Sequence, residues 1–113
     1  MFLCEAALGK QRFITTSEIG YNDKDPVSAL GLDSVLAIGT TEPDPMQDVE
    51  HSFDGGKTKV KVAQGTVKPN PLLKAHGGHS QYSQSEYLVY KESQCTIRYV
   101  LKMKFDTPGG HWH

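Results

Sequence analysis

The chain has 113 residues, enough for a single domain, and its 12 basic and 13 acidic side chains give a net charge of -1. A balance this even argues against an extensive cationic surface for nucleic acid or an anionic membrane. Hydrophobic residues are 37% of the chain, below the roughly 45–50% of an average globular protein, so we expect long loops or a missing partner surface.

The chain carries no stretch approaching the roughly 20 apolar residues of a membrane-spanning helix, and we expect a soluble intracellular protein without membrane contact. Its two cysteines, Cys4 and Cys95, both lie in strand-like patterns. Two cysteines do not make a disulfide framework or a zinc site. We therefore expect two free thiols that serve as small buried apolar groups.

Period-two alternation predicts a first strand over residues 1–8. A second, short strand is predicted over 34–38, with a polar loop at 20–26 between the two. Residues 40–45 contain Pro43 and Pro45, which lack backbone donors, so we predict a rigid turn that ends strand pairing there.

Residues 53–57, with two adjacent glycines, predict a hairpin turn. The lysines at 57, 59 and 61 alternate with uncharged residues, as in an edge strand protected against unwanted pairing. Residues 63–85 show no periodicity and predict a long loop.

The clearest hairpin signal joins a short strand at 86–90 to an alternating strand at 95–105, with a turn at 91–94. Short helical turns are expected only near 25–30 or 71–75. The predicted fold class is α+β and β-dominated, with mostly antiparallel strands, long loops and few helices.

Glu86 is a carboxylate at the start of a strand directly after the long loop, a position where functional groups are often found. From spacing alone, an ordinary strand-end ion pair with a nearby lysine or arginine is the favoured explanation. Two histidine pairs, at 76/79 and 111/113, lack a third ligand at a recognisable spacing, so we expect no metal site.

Three motifs, in register, carry a family resemblance. They are Met-Phe-Leu-Cys-Glu-Ala-Ala-Leu-Gly at 1–9, Thr-Glu-Pro-Asp-Pro at 41–45 and Gln-Ser-Glu-Tyr-Leu-Val-Tyr at 84–90. Over residues 1–105 the chain resembles the C-terminal half of the catalytic domain of the poly(ADP-ribose) polymerase family. The likeness is greatest to the third member of the family, which is activated by DNA damage and mainly adds single ADP-ribose units. Residues 106–113 extend past the family's usual end as a tail.

The resemblance implies a glycosyltransferase that moves ADP-ribose from NAD, its substrate, to protein acceptors and releases nicotinamide. Glu86 matches the catalytic glutamate, which holds the 2'-hydroxyl of the nicotinamide ribose. Gln84 and Ser85 fall on the acceptor side. Polymer-forming relatives tend to have Tyr-Asn at those two positions, so the pair favours mono-ADP-ribosylation.

The resemblance also implies partners outside these residues. The NAD-clamping histidine and the tyrosine that stacks on nicotinamide belong to an N-terminal half that would precede Met1. We therefore expect the isolated chain to be inactive, and to be poorly soluble or oligomeric because its sheet faces lack cover. The family implies a nuclear enzyme of DNA repair, whose DNA contacts would be made by modules absent here. The alternative is a β-rich binding module without catalysis.

Overall fold

Ten strands dominate the computed structural model, which describes residues 1–17 and 30–106. They are β1 (Phe2–Ala6), β2 (Gln11–Ile14), β3 (Ser34–Ala37), β4 (Gly39–Pro43), β5 (Val49–Phe53), β6 (Thr58–Val62), β7 (Val67–Pro69), β8 (Tyr82–Gln84), β9 (Glu86–Val89) and β10 (Cys95–Val100). Short 3-10 helices span Pro45–Gln47, Asp54–Gly56, Pro71–His76 and Glu92–Gln94. The predicted β-dominated fold class is confirmed.

The strands form four small sheets. Two have three strands, in the orders β2-β3-β9 and β7-β4-β8, and two have two strands, β1-β10 and β5-β6. β3 runs parallel to β2 and antiparallel to β9. Among the described residues no helix is long and apolar enough to cross a membrane. The predicted loop at 20–26 and the residues 25–29 of a predicted helical turn lie outside the described residues.

β3 is the centre of the core, and the strand predicted at 34–38 is confirmed. All four of its residues are buried. Alternate side chains of a strand point to opposite faces, so Val35 and Ala37 pack with Ile14 on one face while Leu36 packs with Ile38 and Leu73 on the other. A strand buried on both faces is expected to be nearly continuously apolar.

The prediction of a turn that ends pairing at 40–45 is wrong, because Gly39–Pro43 is the strand β4. This strand pairs antiparallel with β7 and parallel with β8. Pro43 is tolerated because it is the last residue of the strand, where the lost donor interrupts no further pairing. Pro45 instead opens the 3-10 helix Pro45–Gln47, which Asp44 caps by accepting from the Met46 amide.

The prediction of a structureless loop over 63–85 is also wrong. This segment contains β7 and β8, each three residues long, and the helix Pro71–His76 between them. Strands of three residues are too short to show period-two alternation. The helical turn predicted near 71–75 is confirmed, and Asn70 caps it by accepting from the Leu72 amide at 3.0 Å.

The hairpin predicted at 53–57 is confirmed by the antiparallel pairing of β5 with β6. Gly55 and Gly56 adopt φ values of 68° and 92°, in the left-handed region that favours glycine. Within the described residues β6 pairs with β5 alone, so the predicted edge strand is confirmed.

The predicted hairpin between 86–90 and 95–105 is wrong in its pairing and in one of its bounds. β9 pairs with β3, whereas β10 pairs with β1 and ends at Val100. Gln94, in the turn between them, explains the change of direction. Its Oε1 accepts from the Tyr90 and Lys91 amides, and its Nε2 donates to the carbonyls of Ala7 and Asp33. The turn is thereby attached to the ends of β1 and β3.

One face of the β1-β10 sheet has little cover. Phe2, Ile97 and Val100 lie on this face and are each more than half exposed. Cys4 and Cys95 are free thiols, as predicted, but both are exposed, so the prediction that they are buried is wrong.

The Cα radius of gyration is 16.4 Å, compared with about 13 Å for a compact domain of 100 residues.

Candidate active site

Glu86 is the first residue of β9 and lies opposite Ala37 of β3. Its strand neighbour on the same face, Leu88, packs on the cluster formed by Ile14, Val35 and Ala37. The side chain of Glu86 itself is exposed. The carboxylate therefore has a fixed backbone beneath it and solvent access in front of it.

A small cavity of about 100 Å³ lies beside Glu86. Its walls are mostly apolar and come from four strands, β2, β3, β8 and β9. The lining residues are Ile14, Val35, Ala37, Tyr82, Glu86, Tyr87 and Leu88. Sites for small molecules typically measure about 300–1,000 Å³. The cavity beside Glu86 is smaller than this range.

The segment before Glu86 is tied to the chain after β2. The Gln81 amide donates to the Thr15 carbonyl at 2.8 Å, and the Ser17 amide donates to the Gln81 side chain at 2.9 Å. The hydroxyls of Ser17 and Tyr82 are 3.4 Å apart. These bonds hold Tyr82 against the cavity, and its role was not foreseen from the sequence.

Gln84 and Ser85, predicted on the acceptor side, line a second and larger cavity of about 470 Å³ that Tyr87 also lines. Because Ser85 and Tyr87 alternate with Glu86 along the chain, they point to the other face. Ser85 also has a structural contact: its hydroxyl accepts from the Gly39 amide at 2.9 Å.

Gly39 is a site-supporting residue that the sequence analysis missed. A Cβ at this position would lie 2.7 Å from Gln84 Cα and closer still to the Ser85 amide nitrogen. An isolated glycine inside a strand pattern signals such a close backbone approach. The contact places β4 directly against the junction of β8 and β9, immediately before Glu86.

Tyr87 contributes a polar group to the larger cavity. Desolvation raises the pKa of its phenol above the ordinary value of 10.0, and the nearby negative charge of Glu42 raises it further. Both effects disfavour the phenolate. Tyr87 is therefore a neutral hydrogen-bonding group in this cavity at physiological pH.

The histidine pair at 76/79 lies near a separate cavity that also includes Thr15 and Gln81. The ring of His76 packs against Phe13 with their centroids 5.0 Å apart. In the part of the chain that the structure describes, no three His, Cys, Asp or Glu side chains are grouped to hold a metal ion. The pair at 111/113 lies outside that part.

Comparison with known proteins identifies the family. The model of the poly(ADP-ribose) polymerase catalytic domain matches residues 1–105. The chain belongs to this family. The predicted resemblance is therefore confirmed. Catalytic domains of this family are ADP-ribosyltransferase domains.

Individual relatives refine the family assignment. The mouse (Mus musculus) protein mono-ADP-ribosyltransferase PARP3 is 50% identical over 103 residues, which cover 91% of this chain and 17% of the mouse protein. The chicken (Gallus gallus) protein of the same name is 50% identical over 105 residues, or 93% of this chain and 18% of that protein. Poly [ADP-ribose] polymerase 1 of Xenopus laevis is 34% identical over 80 residues, or 71% and 7%.

The sequence identity is thus higher to the mono-ADP-ribosyltransferases than to the polymerase. This agrees with the predicted likeness to the family member that mainly adds single ADP-ribose units. The chain spans less than a fifth of the length of these relatives.

Proposed function

We propose that this chain provides the final strands and the catalytic glutamate of an enzyme that transfers ADP-ribose from NAD to protein acceptors and releases nicotinamide. The observation that carries the proposal is the position of Glu86. Its carboxylate is exposed beside a cavity, and its backbone is paired to β3, the most deeply buried strand of the described residues.

The chemistry explains why a carboxylate on a rigid strand is suitable. Cleaving the bond between nicotinamide and ribose creates positive charge on the sugar, as in glycoside hydrolysis. A fixed carboxylate that holds the 2'-hydroxyl of that ribose favours the charged transition state over the ground state. A side chain on a strand is positioned more accurately than one on a loop.

The remainder of the NAD site would come from residues of the complete protein beyond this chain. Two observations support this: the cavity beside Glu86 is too small for a dinucleotide, and the chain covers 17% of the mouse relative. On this proposal the isolated chain is inactive. Residues 1–105 form the catalytic portion, and residues 106–113 are a tail.

The acceptor would approach from the side of Gln84 and Ser85. The cavity of about 470 Å³ that they line with Tyr87 is large enough for an acceptor side chain. Transfer of single units is proposed from the Gln84-Ser85 pair and from the similarity to proteins named mono-ADP-ribosyltransferases. A nuclear role in DNA repair is part of the same proposal, with DNA contacts made outside this segment, whose net charge is only -1.

The test is Glu86→Gln in the complete protein, with automodification by labelled NAD as the readout. Loss of one group that stabilises transition-state charge typically lowers the rate by about 10²–10³-fold, and we expect a loss of that size with an unchanged unfolding temperature. Glu92→Gln is the matched control, because Glu92 is an exposed glutamate in the turn between β9 and β10. Equal automodification by Glu86→Gln and wild type would refute the catalytic assignment and favour a non-catalytic binding module.

A further inference from the structure

The two cysteines of the chain, 91 positions apart in sequence, meet across the β1-β10 sheet. In the antiparallel register Cys4 lies opposite Ile97, and Ala6 lies opposite Cys95. Cys4 and Cys95 are thus diagonal neighbours on one face of the sheet, where side chains are close enough to interact. A hydrogen-bonding interaction between the two thiols is one of the causes that raise the pKa of Cys4.

Both thiols are exposed, so a small oxidant reaches them from the open face. We propose that Cys4 and Cys95 are an oxidisable pair of thiols that forms a reversible intrachain disulfide between β1 and β10. This site is separate from Glu86, which lies on β9 in a different sheet.

The oxidation balances with a peroxide as the oxidant. The thiolate of one cysteine attacks a peroxide oxygen, the O–O bond breaks, and the products are a sulfenic acid and hydroxide. The thiolate of the other cysteine then attacks the sulfenic sulfur, the S–S bond forms, and a second hydroxide leaves. The two thiol protons neutralise the hydroxides, so two thiols become one disulfide and the peroxide is reduced to two waters.

Local backbone geometry favours the small movement that the bond requires. Diagonal neighbours have Cα atoms about 7–8 Å apart in a regular sheet, and a disulfide usually needs about 4.4–6.8 Å. The register shifts between Leu3 and Cys4, which leaves Arg98 as an extra residue on β10. Such a bulge bends the strand and increases its twist next to Cys4. Cys95 is the first residue of β10. Both features favour the small approach of the two Cα atoms that a disulfide requires.

The pH response follows from the environment of Cys4. Desolvation raises the pKa of this thiol above its ordinary value, and the hydrogen bond to Cys95 and the charge of Cys95 raise it further. Thiolate is the reactive form. Disulfide formation should therefore be slow at neutral pH and accelerate as the pH rises.

The experiment treats the complete reduced protein with hydrogen peroxide, blocks the remaining thiols by alkylation, and maps peptides by mass spectrometry. The expected product is a Cys4–Cys95 linked peptide that disappears on reduction with dithiothreitol. In Cys4→Ser and Cys95→Ser variants the linked peptide should be absent, and the remaining cysteine should be trapped as a sulfenic acid by dimedone.

Three results would overturn the proposal. They are alkylation of both cysteines after peroxide treatment, oxidation of each cysteine separately to sulfinic acid without a linked peptide, and disulfides formed only between molecules. The wild-type measurement alone decides among them, so the proposal remains testable if a variant fails to fold.

Discussion

Gly39→Ala should reduce the catalytic rate, although Gly39 is far from Glu86 in the sequence. The new Cβ would lie 2.7 Å from Gln84 Cα, about 0.8 Å short of the roughly 3.5 Å at which carbon–carbon contacts become favourable. It would be closer still to backbone atoms of Ser85 and Gln84, which cannot rotate away as a side chain does. The β8-β9 junction must therefore move.

The size of that movement sets the expected effect. A displacement of about 1 Å in a catalytic group can cost about 10²-fold in rate, and Glu86 directly follows the displaced residues. Overpacking typically lowers the free energy of unfolding by about 1–3 kcal/mol. We expect Gly39→Ala to lower kcat of the complete protein by about 10²-fold, with a measurable fall in Tm.

Gly55→Ala is the control for glycine replacement in general. Nothing lies within 4 Å of a Cβ at Gly55, but its φ of 68° is left-handed. That conformation costs a non-glycine residue about 1–2 kcal/mol, so this variant should lose stability and keep its kcat. Steady-state kinetics and thermal unfolding of both variants decide the matter. Wild-type kcat in folded Gly39→Ala would show that the close contact does not position Glu86.

Two further predictions concern groups near the same sheets. Asn70→Ala removes the bond from Asn70 Nδ2 to the buried Gly39 carbonyl and the cap on the Leu72 amide, and should lower the free energy of unfolding by about 1–3 kcal/mol. Chemical denaturation checks this, and a change below about 0.5 kcal/mol contradicts it. Tyr87 holds its proton more tightly in the folded state, so its contribution to stability is present below pH 10.0 and is lost above it. The Tm of wild type should therefore fall more steeply than that of Tyr87→Phe above that pH, and parallel curves would contradict the assignment.

Local sequence signals predicted several of the strands, although the five-residue strand β4 was predicted as a turn because of the prolines in residues 40–45. The short strand predicted at 34–38 matches β3, in which Ser34 is followed by the apolar residues Val35, Leu36 and Ala37. The β5-β6 turn was predicted because Gly55 and Gly56 supply the positive φ that it requires. β7 and β8 were missed because three residues carry no usable periodicity.

Strand partners were less predictable than strands, since alternation identifies a strand but not its neighbour. The turn at 91–94 suggested a hairpin, yet β10 pairs with β1 at the other end of the chain. The decisive contacts are those of the Gln94 side chain with the carbonyls of Ala7 and Asp33. Contacts made by one amide over such sequence separations leave no periodic pattern in the sequence.

The candidate site likewise combines a strand that the sequence predicted with contacts that it did not predict. The strand that begins at Glu86 was predicted. The wall formed by Tyr82 was not, because it depends on the bonds of Gln81 and Ser17. The exposure of Cys4 was also missed, since alternation does not show which of two sheet faces is covered.

Core stability and the position of Glu86 are coupled through residues 34–43. β3 in this segment supplies side chains to both apolar clusters. β4 begins with Gly39, after one intervening residue. The amide of Gly39 donates to the Ser85 hydroxyl, and its carbonyl accepts from Asn70. Groups that share a partner are not independent, so the effects of Gly39 and Asn70 substitutions on stability should be non-additive. A substitution in β3 that leaves Glu86 untouched should likewise change the catalytic rate, because the core strand and the carboxylate are paired through the same backbone.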